Sequence, residues 1–320
     1  MNNAEKQSFK SEIQKRIAAK LGEDFLVKIT EVFKTNVSLD AVTIYNRNSS
    51  TNITPTIYLN SYYNDFSHGV AIEDIVEKIV EVYEKHKKEE PVDVSKFMNF
   101  EKVKNRIACK IINRDLNQKL LEDVPFDEVL DMAIVFYVVF DMNEYGNASI
   151  LIHNSHLDIW GISKEELSEL AHKNTPEILG VSIQSMSEVM GAMLRTDMQK
   201  NISFEADDQT VEDMMEQMIS GVDNNMYVLT NTHKLNGAVL MTYPEILREF
   251  AMQHQVEKVI VIPSSIHEAL LLIGDSVMNM EFDYFNSMVQ EVNDTTVNDD
   301  EILNNHCYLY TVSDNKLTMI

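Results

Sequence analysis

MAIVFYVVF (132–140), DMNEYGN (141–147) and ASILIH (148–153) together decide the fold class. Nine successive apolar residues are too few for the roughly 20 that a membrane-crossing helix needs, and they read as a buried strand. DMNEYGN is a turn, with Gly146 available for positive φ. ASILIH is then the strand that pairs back. A helix follows over 163–173, opened by a capping box of Ser163 with Glu166 three residues on. The order is strand, strand, helix.

The same order recurs on both sides. Upstream, residues 4–21 place Phe9, Ile13, Ile17 and Leu21 on one helical face. Residues 25–30 and 41–45 alternate as strands, 46–52 is a polar loop, and 54–60 is a third strand whose Pro55 suits an edge. Ile72, Ile75, Val76, Ile79, Val82 and Tyr83 form the next helical stripe, closed by Lys85, Lys87 and Lys88 ahead of Pro91. Downstream, strands at 227–230 and 237–241 precede a helix over 242–254, with Thr242 and Glu245 as its capping box and Pro244 in its first turn. Strands at 258–262 and 268–273 precede a helix over 281–292. A last hairpin joins 307–312 to 316–320 around residues 313–315. Hairpins pair antiparallel, and helices that follow them cover one sheet face. The expectation is an α+β protein of repeated strand-strand-helix units forming mainly antiparallel sheets covered by helices. The charged KKEEPVD segment (87–93) suggests an N-terminal α+β domain over 1–90 and an acidic C-terminal α+β domain over 91–320.

The net charge is −24, and it is uneven. Residues 1–120 hold 19 Lys+Arg and 17 Asp+Glu; residues 121–320 hold 8 and 34. Such a second part repels phosphate and anionic lipid, so no direct nucleic-acid contact and no membrane contact are expected of it. Its carboxylates serve solubility, or a basic protein partner, or mimicry of nucleic-acid charge. Two cysteines, Cys109 and Cys307, stand far apart and outline neither a disulfide framework nor a zinc site. The polar first ten residues are no secretory signal, which points to a cytoplasmic protein with reduced thiols.

Five segments carry residue types that do chemistry. In His153-Asn154-Ser155-His156, with Asp158 and Trp160 behind, the H-x-x-H spacing suits a metal only on a helix. Residues 157–161 do not read as one, so the histidines are expected to end a strand, on opposite faces. Pro263-Ser264-Ser265-Ile266-His267-Glu268 puts a hydroxyl, an imidazole and a carboxylate close together. Neighbouring side chains in extended chain point apart, so a turn is expected and not a catalytic triad. Asp141 to Gly146 starts like a calcium loop but has Tyr145 and Ile152 where oxygen ligands belong. Met186, Val189, Met190, Met193 and Leu194 mark one apolar helix face, and Val211, Met214, Met215, Met218 and Ile219 a second. Core filling between these helices is expected, with an adaptable groove as the alternative. Residues 201–213 between them read as an exposed loop. Lys96, Lys102, Lys104, Arg106, Lys110, Arg114 and Lys119 form a basic stretch with only Phe97 and Phe100 interleaved, expected to pair with the acidic part.

No Walker loop, G-x-G-x-x-G, H-E-x-x-H or cysteine-pair motif is present. No cofactor and no metal are therefore expected, and the sequence leans away from an enzyme. The leading expectation is a non-enzymatic binding or adaptor protein. The alternatives are a hydrolase centred on His153, His156, Ser264 and His267, and a nucleic-acid charge mimic. Candidate contact residues are His153, Asn154, His156, Trp160, Ser264, Ser265, His267 and Glu268.

Several longer phrases carry a resemblance: PTIYLNSYYNDF (55–66), KIINRDLNQKLLEDVPFDEVLDMAIVFY (110–137), ILIHNSHLDIWGISKEELSELAHKNTP (150–176), NGAVLMTYPEILREF (236–250) and VIPSSIHEALLL (261–272). Over nearly its whole length the chain resembles a family of uncharacterised proteins from gut Clostridia and related Firmicutes, a domain of unknown function. Residues 130–176 are also similar to a second uncharacterised bacterial family. The resemblance implies one continuous family unit, 1–320, in a bacterial cytoplasm. It implies no activity, cofactor or catalytic residue.

Overall fold

The computed structural model describes residues 2–88, 90, 95–143, 146–201, 225–274 and 282–320. The chain divides into two compact units, Met1–Met98 and Asn99–Ile320.

In the first unit, helix α1 (Asn3–Leu21) starts at a capping box of Asn2 and Glu5, and its Phe9, Ile13 and Ile17 are buried. Gly22, at φ 88°, ends it in backbone space that other residues rarely adopt. Strands β1 (Phe25–Lys34), β2 (Val37–Asn46) and β3 (Thr56–Tyr58) form an antiparallel sheet in that order. Alternation turns Val27, Val42, Ile44 and Ile57 onto the core, where α1 and α3 (Ile72–His86) meet them through Ile13, Ile75 and Ile79. The third strand is shorter than its sequence suggests. Leu59 instead enters helix α2 (Asn60–Ser67), whose Tyr63 packs edge-on to Phe9. A single turn, α4 (Ser95–Met98), ends the unit.

The second unit opens with α5 (Phe100–Val103) and a 3-10 turn over 104–106, then has strand β4 (Ile107–Asn113), α6 (Gln118–Leu121), and strands β5 (Phe126–Val129), β6 (Met132–Asn143) and β7 (Gly146–Leu151). Strand β6 is the spine. It pairs with β4 along one edge and with β5 and then β7 along the other, all antiparallel. Residues 132–136 are buried on both faces, which is why the run is apolar without alternation. Helix α7 (Asn154–Trp160) and helix α8 (Lys164–Leu179) follow, the latter capped by Ser163 through the Glu166 N–H.

Pro176 lies inside α8 and has no N–H for the His172 carbonyl. The hydroxyl of Tyr243 fills that vacancy, donating to His172 O at 3.0 Å. Beside it, Thr175 accepts the Cys109 N–H at 2.9 Å and donates to Ala171 O at 2.6 Å, fixing α8 against β4.

The remaining sheet has strand order β13-β12-β10-β11-β9-β8 and is antiparallel throughout. Its strands are β8 (Ser182–Ser185), β9 (Met226–Thr230), β10 (Lys258–Pro263), β11 (Ala269–Leu272), β12 (Tyr308–Thr311) and β13 (Lys316–Met319). Helix α9 (Met186–Asn201) follows β8, α10 (Pro244–Gln253) precedes β10, and α11 (Phe282–Thr295) precedes β12. The α+β class with antiparallel sheets and packed helices is what the sequence pattern implies. Residues 237–241 are a departure: they lie in a buried 3-10 helix, Gly237–Thr242, and not in a strand. The helix after it has no capping box either, since Tyr243 is its N-cap and Thr242 donates to Val239 O. Among the described residues, no helix is long and apolar enough to cross a membrane.

Candidate functional site

His153 does not end a strand. It is the N-cap residue of α7, and residues 154–160 are helical. The reading that 157–161 is not helix is therefore wrong. No residue of this helix is buried, so it shows no apolar stripe to reveal it. Its signals are at its ends: the His153 N–H donates to His156 Nδ1 at 2.9 Å, and Gly161 closes it at φ 66°.

The two imidazoles are neighbours after all, with ring centroids 5.4 Å apart. His153 Nδ1 lies 2.8 Å from the Asp123 carboxylate, while Asn154 gives its N–H to the Asp123 carbonyl. His156 stacks against Trp160, and Trp160 against Phe100. Burial, helped by the neighbouring His153, holds His156 below the usual imidazole range. Its Nδ1 accepts a backbone proton, so the remaining proton sits on Nε2. Among the described residues, no group of three His, Cys, Asp or Glu side chains is arranged to hold a metal ion.

The second candidate segment is the β10–β11 turn. Ser264 and Ser265 both give their N–H groups to the Glu268 carbonyl, and the Ser265 hydroxyl accepts the His267 N–H at 3.0 Å. His267 Nδ1 accepts the Asn236 N–H at 3.1 Å, and Nε2 faces Glu301 at 3.4 Å. Both ring nitrogens are committed, so His267 is not placed to take a proton from either serine. The partners of His153 are Asp123 and His156; those of His267 are Asn236 and Glu301. Sequence reasoning missed Asp123, Asn236 and Glu301, which come from distant segments and leave no local pattern.

Two further clusters were also not legible. Asp127 of β5 receives Lys164 at 3.0 Å and the Ser168 hydroxyl, and lies 3.7 Å from His172. These three are one i, i+4, i+8 ridge of α8, so the cluster pins helix to strand. Asp131 accepts from the Tyr308 hydroxyl and lies 3.0 Å from His306. Burial, then the bond to Asp131, drives the Tyr308 phenol well above its ordinary range.

On the methionine face of α9, Met190 and Met193 are 37% and 60% exposed, while Met186, Val189 and Leu194 are half-buried. Its expected partner stripe, 211–219, and nearly all of the 201–213 loop lie outside the described residues, as does Tyr145. In the basic stretch, Arg106 donates to the Phe140 carbonyl and Arg114 reaches Glu128 at 3.7 Å.

The strongest charge feature lies elsewhere. From 259 to 315 the chain has no Lys or Arg and ten carboxylates. Helix α11 falls within that stretch. It buries Phe285 and Val289 against Ile260, Ile262 and Leu272 of the sheet. Its outer side carries Asp283, Tyr284, Ser287, Glu291 and Asp294, all exposed. Asp283, Ser287 and Glu291 are spaced i, i+4, i+8, which makes one continuous ridge.

A family model for proteins of unknown function, DUF5688, matches residues 6–312 and so covers both units. The chain belongs to the DUF5688 family. No curated protein and no solved structure matches it.

Proposed function

We infer that this DUF5688 protein is a binding or adaptor protein, non-enzymatic, whose second unit recognises a basic protein segment along the outer face of α11. The carrying observation is the 57-residue stretch without a cation in which that face lies. Its ridge of carboxylates has no lysine or arginine of its own to neutralise it, and Tyr284, 60% exposed, offers a ring to a guanidinium. The committed nitrogens of His267 support the same reading against a hydrolase. The bacterial, cytoplasmic setting implied by the resemblance is part of this proposal.

The test is titration of the full chain with an arginine- and lysine-rich peptide, against a glutamate-rich control, at 50 and 300 mM salt. Exposed ion pairs contribute about 0.2–1 kcal/mol each. The triple variant Asp283→Asn, Glu291→Gln, Asp294→Asn should therefore bind roughly 3- to 150-fold more weakly, and high salt should weaken the wild type. Equal binding by wild type and triple variant would refute the assignment of this face.

A further inference from the structure

We propose that the open face of the β1–β2–β3 sheet is a binding platform for single-stranded nucleic acid. This is a second site, on the first unit, and does not depend on the reading of α11.

Lys28 pairs with Thr43, Leu26 with Tyr45, Thr43 with Thr56 and Ala41 with Tyr58, so all of these point to the same side. It is the side opposite the core residues Val27, Val42, Ile44 and Ile57. Five positions of β1, five of β2 and two of β3 face this way. None of the twelve is acidic, and two are lysines, Lys28 and Lys34. In a chain with 51 Asp and Glu residues this is a sharp local exception.

The state of the lysines is the second observation. On the helical side of the unit Lys10, Arg16 and Lys78 have the carboxylate partners Asp40, Glu12 and Asp65, while Lys6 lies over the Tyr63 ring. Lys28 and Lys34 have no carboxylate partner among the described residues. Lys28 Nζ lies 5.6 Å from the centre of the Tyr45 ring, and Lys34 Nζ lies 4.2 Å from that of Tyr58. The face therefore presents two cation–ring pairs. Tyr45 stands four residues along β2 from the partner of Tyr58, about 13 Å at 3.3 Å per residue. That spacing lets each ring take its own base while the displaced ammonium moves to the adjoining phosphate. Threonine hydroxyls at 43 and 56 lie between them. An anionic, ring-bearing, extended ligand matches this chemistry. The overall negative charge does not forbid it, because carboxylates more than about 10 Å away are screened at 0.1 M salt.

The experiment uses the full chain and fluorescence polarisation of labelled twelve-nucleotide oligo-uridine and oligo-deoxythymidine. Saturable binding is expected, with log K falling against log salt at a slope near −1.4 for two lysine–phosphate contacts. Tyr45→Ala should weaken binding about 5- to 150-fold, the loss for one stacked base, with the slope unchanged. Tyr45→Phe should restore it. Lys28→Gln should reduce the slope by about 0.7. Both substituted residues are exposed, so unaltered melting will show that the variants fold. The triple variant of α11 should bind the oligonucleotides as the wild type does. Three results would overturn the proposal: no saturable binding at 20 mM salt, Tyr45→Ala within twofold of wild type, or an oligo-glutamate peptide bound as tightly and with the same Tyr45 dependence. The last would make an acidic protein segment the occupant.

Discussion

Asp40 is the joint of the first unit, and replacing it with asparagine is a direct test of how that unit holds together. The residue sits on β2. Its carboxylate takes Lys10 of α1 at 2.8 Å and the Tyr63 hydroxyl of α2 at 2.6 Å, while its carbonyl takes the Leu59 N–H. Burial works to raise this carboxyl, but the bonds from Lys10 and Tyr63 outweigh it and hold Asp40 below the usual range. A carboxyl depressed in the folded state stabilises above the unfolded value, about 3.9 for Asp. That contribution fades as pH falls through the lower folded value. Hydrogen bonds to charged groups contribute about 1.5–3 kcal/mol. Asn keeps an acceptor for Tyr63 but loses the charge facing Lys10, so a loss of about 2 kcal/mol is expected. For a unit of this size that is roughly 8–16 °C in Tm. The chain's single tryptophan, Trp160, reports on the second unit. The first must therefore be followed by hydrogen exchange of peptides from 3–86 or by tyrosine near-UV dichroism. Wild type should lose first-unit stability below about pH 4, and Asp40→Asn should lack that increment. A variant that melts within 2 °C of wild type, with the same acid profile, would refute the account.

Two other outcomes follow from the second unit. A Cβ at Gly237 would clash with Thr230 Oγ1 and lie 2.7 Å from both Asn231 N and His267 O. Two of those atoms are backbone and cannot swing aside, so Gly237→Ala should cost about 1–3 kcal/mol, read as a lower urea midpoint of Trp160 fluorescence; an unchanged midpoint would show the site is looser than described. Burial pushes the thiols of both Cys109 and Cys307 up to about 11. A thiol reagent at pH 8 should label neither in the native protein and both after unfolding; prompt native labelling of either would contradict their placement.

Where sequence alone was a good guide, a periodic apolar face was present. Phe9, Ile13 and Ile17 in α1, and Ile75, Ile79 and Tyr83 in α3, are buried at the spacing that suggested them. The β6–β7 hairpin is legible because β6 is buried on both faces and its turn is polar. The failures have physical causes. GAVLM at 237–241 is buried throughout, and an apolar run without alternation looks the same in a strand and in a buried helix. Helix α7 has no buried side chain, so hydrophobicity could not mark it. Strand β4 hides in the basic stretch because Lys110 breaks its apolar run. The histidine clusters were half legible: the imidazoles stand in the sequence as neighbours, but Asp123 lies 30 residues before His153 and Glu301 lies 34 after His267.

The charge of α11 bears on whether its carboxylates serve more than solubility. Negative side chains stabilise the first turn of a helix and destabilise the last, by about 0.3–1 kcal/mol each. In the first unit α1 and α3 follow this rule, with Glu5 against Lys20 and with Glu73 and Asp74 against Lys85 and His86, whereas α2 has Asp65 and no basic residue in its last turn. In α11, Asp283 obeys it, but the last turn has no basic residue, Asp294 lies within that turn, and Asp299 and Asp300 follow. Solubility would be met equally well by carboxylates at stabilising positions, or by a mixture of signs. Last-turn carboxylates occur in α2 and α8 too, as Asp65 and Glu177, but those of α11 share one exposed ridge, which is the arrangement that the proposed recognition of a cationic partner calls for.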